Sequence, residues 1–253
     1  MPGGDVPDGD GGRLRCSAPT VARAAAFSRP LFGRSKFTAL PASPLTGARA
    51  ALEVVLGAPL LSVELTASPS GELIRDYLLA RRRGVRTHLY AQTVLCIPPI
   101  GAQMLKGRRF RAARTNITRA RREGITCRDL PESERPRVLR ELDESASLLE
   151  RTVDRWWVAD RTDRSAAGFA LATVDQKWAL LNWLVAPRYT ARYLLNSHIM
   201  LALQAAGVRY LATRSPMAVV QSSGALYLQA RLGYEIVRLR VKSDRLARSP
   251  AVG

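Results

Sequence analysis

The 253 residues carry 39 lysines and arginines against 21 aspartates and glutamates, a formal charge of +18, with apolar residues at 47%. A chain of this length can bury a real core as one large domain or two small ones. The positive surplus predicts an anionic partner, whether nucleic acid, a coenzyme pyrophosphate or lipid headgroups. Cys16, Cys96 and Cys127 are widely spaced and show no paired spacing with His88 or His198, so neither a zinc motif nor a disulfide framework is indicated. Reduced thiols point to a cytoplasmic setting, and no apolar run approaches the roughly 18 to 20 residues that span a bilayer.

In chain order, residues 1–45 are rich in Gly, Pro, Ala, Ser and Arg without sustained periodicity, the pattern of a disordered basic tail. From Ala51 to Thr66, apolar bursts around Gly57 and Pro59 predict short strand-like segments. Gly71 to Arg83 predicts a helix stopped by Gly84, and Val85 to Ile97 a strand ending at Pro98. Residues 46–124 therefore form a partial N-terminal unit that must pack on the rest of the chain. It closes with a long helix over Ile100 to Glu123, where Phe110, Ala113, Ile117 and Ala120 recur at helical spacing as one apolar stripe. Arg108, Arg111, Arg119 and Arg122 share the opposite face. With no acid interspersed before Glu123, these charges repel one another, and an anion that quenches them explains the run better than solvent does.

Residues 125–242 continue as a second unit, with 243–253 as a tail. Ile125 to Leu130 is a predicted strand, Pro131 starts a helix running to about Val153, and three strands follow as an antiparallel meander: Trp156 to Asp160, Ala166 to Val174 and Trp178 to Ala186. Arg188 to Ala206 is a helix ended by Gly207, Val208 to Thr213 a strand, and Ala225 to Arg240 a short helix, a glycine turn and a strand. His88 and His198 fall inside a strand and a helix, where packing is their ordinary role. Asp160, Asp163 and Asp175 fall at strand ends or turns, as turn chemistry wants.

This succession resembles the GNAT superfamily of acyltransferases over residues 125–242. The resemblance is carried by Trp-Trp-Val-Ala-Asp at 156–160, Gly-Phe-Ala-Leu-Ala at 168–172, Val-Ala-Pro at 185–187 and Arg-Leu-Gly-Tyr-Glu-Ile-Val at 231–237. Together with the arginine-rich phrase at 108–124, the chain looks most like the Fem-type aminoacyl transferases and GNAT-like relatives of uncharacterised activity. The resemblance implies an α/β (α+β) fold: a GNAT-like mixed sheet flanked by helices, preceded by a partial second GNAT-like unit. It implies transfer of an activated acyl or aminoacyl group onto an amine. Either acyl-CoA or aminoacyl-tRNA is then the donor substrate, with no further cofactor and no metal.

By the same resemblance, Val185, Arg188 and Arg192 lie beside the donor, while Arg108, Arg111, Arg119 and Arg122 contact phosphates or nucleic acid. CoA-dependent members place glycines after Val-x-Pro so that backbone amides approach the pyrophosphate. Here Tyr193 and Leu195 fill those positions, which favours a donor other than acetyl-CoA. The tyrosine that protonates the leaving thiolate in many members is replaced by Gln229, leaving Tyr227, two residues earlier, as a weak catalytic candidate. Two alternatives stand beside this reading: a CoA-dependent N-acyltransferase with a diverged phosphate loop, and a non-catalytic nucleic-acid-binding protein on a GNAT-like scaffold.

Overall fold

The computed structural model describes residues 49, 52–54, 56–82, 85–86, 92–100, 104–214 and 223–242, without side-chain detail at 81–86 and 223–227. The expected tails at 1–45 and 243–253, Cys16 and His88 lie outside the described residues.

One eight-stranded sheet, in the order β1-β10-β4-β9-β8-β7-β6-β5, organises the molecule. Its strands are β1 Leu60–Val63, β4 Gln92–Cys96, β5 Thr126–Asp129, β6 Asp154–Asp160, β7 Ala166–Asp175, β8 Trp178–Val185, β9 Tyr210–Thr213 and β10 Tyr234–Val241. Strands β5 to β8 form the expected antiparallel meander, and β8 meets β9 in parallel through the helical crossover between them. Strand β4 inserts antiparallel between β9 and β10, and β1 adds to β10 in parallel. The front of the chain thus completes the sheet that the back begins, as its shortage of elements required.

Helices cover both faces. On one face lie α2 (Arg111–Arg122), α4 (Tyr189–Ala205) and α5 (Ser223–Leu232). Phe110, Ala113, Ile117 and Ala120 pack there with Trp157, Ala170, Tyr193, Leu195 and Leu232, so the predicted stripe is the buried one. On the other face α1 (Pro69–Leu79) covers β1, β4 and β10 through Ile74, Tyr77 and Leu78, and α3 (Arg135–Glu141) covers β6 and β7 through Val138 and Leu139. Burial on both sides explains why β7 reads as a nearly continuous apolar run instead of alternating. This mixed sheet, flanked by helices in the order strand, helix, three strands, helix, strand, helix, strand from residue 126 onward, is an α/β fold with the element order expected from the sequence.

Several boundaries differ from the sequence reading. Residues 52–54 and 56–57 are helical, and only the second apolar burst, at Leu60–Val63, is a strand. Helix α1 begins at Pro69 and ends at Leu79, and Arg81–Arg82 pair with Val85–Arg86 as the two-stranded β2–β3 ribbon. Ser68 decides the start, because its hydroxyl caps the Gly71 amide at 3.0 Å. The predicted long helix at 100–123 starts late: Gly107 has φ +97°, Arg108–Phe110 form a single 3-10 turn, and α2 proper starts at Arg111. The predicted helix from Pro131 to Val153 is likewise broken, with α3 ending where Asp143 adopts φ +54°.

The two halves are fastened by Asp175. Its carboxylate accepts from the Thr66 amide at 2.8 Å, the Thr66 hydroxyl at 2.5 Å and the Ser68 hydroxyl at 3.0 Å. A side chain at Gly71 would meet the Thr66 carbonyl at 2.3 Å, so α1 can approach this bond set only through a glycine.

Candidate functional site where β8 leaves β9

The parallel register of β8 with β9 runs from Trp178↔Tyr210 to Leu181↔Thr213 and stops, while β8 continues to Val185. Asn182 to Val185 therefore present a backbone edge with no β9 partner among the described residues. A bulge drives the parting. Leu171 pairs with Trp183 and Ala172 with Leu181, so Asn182 is the extra residue opposite β7.

The bulge is pinned from within. Asp154, whose side chain is fully buried, accepts from the Thr173 hydroxyl at 2.6 Å and from the Asn182 amide at 3.2 Å, and forms an ion pair with Arg151. Asn182 also donates to Thr173 at 2.7 Å. A buried carboxylate is tolerated only when paired and hydrogen-bonded, and this one is both. Beyond the bulge, β8 is drawn tight against β7 at Gly168, where a side chain would sit 2.6 Å from the Val185 carbonyl. Glycine there sets the line along which β8 departs.

Val185, half-buried, ends β8, and Ala186-Pro187-Arg188 turn the chain into α4. The Arg192 Nε donates to the Ala186 carbonyl at 2.6 Å and closes that turn. Helix α4 starts without a side-chain cap and with no acid in its first turn, so its positive end is available to an anion. A carboxylate from the neighbouring helix meets it. Glu123, at the C-terminal end of α2, accepts from the Thr190 hydroxyl at 3.0 Å, lies 3.9 Å from Arg188 and pairs with Arg119 at 3.0 Å. A carboxylate is misplaced at the negative end of α2 and well placed at the positive end of α4. Arg119 and Arg188, assigned from sequence to different roles, thus converge on one group. Glu123 and Thr190 were missed because the contact joins residues 67 apart in sequence.

Tyr193 and Leu195 are fully buried in the core beneath α4, and the Tyr193 hydroxyl lies 2.8 Å from that of Tyr189 at the helix start. Arg108, Arg111 and Arg122 are exposed and have no acidic partner among the described residues; Arg108 belongs to the 3-10 turn, so the four arginines follow α2 without sharing one ideal helical face. Arg114 is spent on the Leu105 and Gly107 carbonyls. Tyr227 lies in α5, its side chain outside the described residues. Gln229 keeps a buried side-chain carbonyl without a hydrogen-bond partner among the described residues. His198 is half-buried in α4, where desolvation holds its imidazole below the usual range.

A cavity of about 1060 Å³ opens elsewhere, at the rim where β5, β6 and the 161–165 turn meet α3. Its charges neutralise one another. Arg128 makes a fork with Glu134 at 2.9 and 2.7 Å and reaches Asp160 at 2.7 Å. Arg137 bridges Glu134 and Glu141. Asp163 serves the turn, as expected, through the Ser165 amide and hydroxyl. Asp160 and Asp175 do not: both are buried, Asp160 against Arg128 and Asp175 as the fastener of the two halves.

No family model and no curated protein matches the chain. Among solved structures, it is similar to the C-terminal domain of a protein provisionally assigned as a lysylphosphatidylglycerol synthetase from Agrobacterium fabrum, at 18% identity and TM-score 0.43, covering 58% of each chain. It is similar to L-PGS from Bacillus licheniformis at 10% identity and TM-score 0.40, over 49% of this chain and 44% of that one. A tandem GNAT protein from the clavulanic acid biosynthesis pathway aligns over 78% of this chain and 68% of its own, at 14% identity and TM-score 0.39. The chain spans about half the length of the first two. Among the described residues, no helix is long and apolar enough to cross a membrane.

Proposed function

We propose that the protein transfers an activated acyl or aminoacyl group onto an amine, with the donor carbonyl seated where β8 parts from β9. The parting carries the reading: a bulged, glycine-guided strand edge whose backbone groups lack a β9 partner among the described residues lies directly before a helix start flanked by Arg119, Arg188 and Arg192. Backbone donors on that edge suit the developing oxyanion, and positioning supplies much of the rate without an enzyme-bound intermediate. The amine lone pair forms the new C–N bond. The bond from carbonyl carbon to carrier breaks with its electrons on the carrier, and the amine loses one proton.

For the donor, an aminoacyl-tRNA is favoured over acetyl-CoA. The exposed arginines extend along the whole of α2, 12 residues and about 18 Å at helical rise, far longer than one pyrophosphate needs. A CoA-type donor remains the second reading, because an uncapped helix start beside a parted strand suits an anion that displaces Glu123 from it.

The deciding experiment offers aminoacyl-tRNA and a series of acyl-CoAs, each with a mixture of amines, and searches for N-acylated product by mass spectrometry. Product from aminoacyl-tRNA, lost in Arg188→Glu, is expected. Micromolar acetyl-CoA binding by titration calorimetry overturns the donor preference. Salt-sensitive RNA binding with no product from any donor replaces the transferase with a binding protein.

A further inference from the structure

Three of the four tryptophans are buried, at 3%, 0% and 3% exposure for Trp156, Trp157 and Trp178, but Trp183 is 42% exposed. It is also the first residue after the bulge, on the stretch of β8 that has left β9. Trp183 pairs across strands with Leu171, a member of the α3-side core. Directly paired residues point to the same side of a sheet, so the indole stands on the α1/α3 face, opposite α2 and α4. Its Nε1 donates to Glu144 Oε2 at 3.2 Å. Glu144 is half-buried and is fixed through its own amide to the Leu139 carbonyl at 2.9 Å, just after the left-handed turn at Asp143. No basic side chain pairs with this carboxylate among the described residues.

Trp183 keeps 42% of its surface in water, and on a chain of formal charge +18 the Glu144 carboxylate has no basic partner among the described residues. Together they have the chemistry of a cation receptor: the carboxylate accepts from an ammonium N–H while the indole face attracts the charge. We infer that Trp183 and Glu144 form a binding subsite for a primary ammonium group on the α1/α3 face of the sheet. The inference rests on the transferase reading only for the role of the bound amine, as acceptor. In that role the arrangement separates the two charges: an anionic donor held on the arginine face, and on the opposite face an ammonium that releases one proton to solvent before its lone pair attacks, with the parted strand between them. The buried Asp154, Thr173 and Asn182 set keeps the indole in place by holding the bulge.

The test follows the Trp183 indole resonance by ¹⁵N NMR in the full chain, assigned from its loss in Trp183→Phe, during titration with n-pentylammonium or its neutral counterpart 1-pentanol. Saturable binding of pentylammonium is expected, with pentanol and the Glu144→Gln variant each weaker by about tenfold, as loss of a charge-assisted contact requires. An unchanged melting temperature verifies that Glu144→Gln is folded. Equal binding of the alcohol, or full affinity in Glu144→Gln, overturns the subsite. The two readings also fail separately. Amine binding without product from any donor refutes the transferase and leaves the subsite; product with an unchanged amine KM in Glu144→Gln refutes the subsite and leaves the transferase.

Discussion

Two groups of arginines put the same side chain to opposite uses. At the β5–β6 rim, Arg128 and Arg137 are each held by two carboxylates, and the charge is consumed in fastening α3 to the sheet edge. Along α2, Arg108, Arg111 and Arg122 face solvent without an acid among the described residues, and Glu123 alone answers Arg119 and Arg188. The first group is a closed network, the second an open one. An arginine run therefore says little until its partners are known, and the partners come from other elements.

Breaking the anchorage of each group gives the largest effects. Gly168→Ala forces a side chain to within 2.6 Å of the Val185 carbonyl, and overpacking against backbone costs about 1–3 kcal/mol, with loss of transfer activity exceeding the loss of stability because the β8 exit must move. Ile117→Ala removes a core group at 7% exposure and lowers stability by about 2–4 kcal/mol in denaturant titration, showing that α2 is seated by its apolar stripe and not by its charges. Arg128→Ala leaves Asp160, whose side chain is 9% exposed, without its cation, a loss of about 1–3 kcal/mol.

Charge changes on α2 separate the two groups more sharply. Arg111→Glu with Arg119→Glu leaves the melting temperature within a few degrees, since exposed charges contribute about 0–1 kcal/mol. The same pair flattens the salt dependence of RNA binding by about two phosphate contacts. Glu123→Gln acts in the other direction, freeing the α4 start and tightening anionic donor binding about threefold or more. A loosened donor in Glu123→Gln removes the role given to that carboxylate.

The smallest effect is acid sensitivity at the rim. The Ala166 amide and the Arg137 guanidinium hold Glu141 below its ordinary value of 4.5. A depressed carboxyl contributes stability that is present above its unfolded value and lost as pH falls through the folded one. Thermal melts from pH 6 down to pH 3 therefore lose less stability in Glu141→Gln than in the parent. On the inner side of β5, burial followed by the Asp160 charge pushes the Cys127 thiol up to about 12.

Much of the frame is readable from local pattern. The stripe at 110–120, the meander of β6 to β8, and the glycine turn at Gly233, with φ +92° and Phe110 packed against it, all arise from periodicity or backbone preference. What the pattern hides depends on distant pairing. Strand β4 enters between β9 and β10 because those edges need a partner, which no window around Gln92–Cys96 reveals. The bulge at Asn182 is set by Asp154 and Thr173, and Glu123 matters only once α2 lies beside α4. The late start of α2 after Gly107 and the end of α3 before the left-handed Asp143 were missed because they depend on local backbone angles and not on periodicity.

The central claim is that an activated carbonyl sits at the unpaired end of β8. A donor carrying a photoreactive acyl group, irradiated on the full chain and mapped by peptide mass spectrometry, tests it most directly. Adducts are expected within Asn182–Val185, competed away by unlabelled donor. Adducts confined to α2 or to the β5–β6 rim, with none on β8, would contradict it.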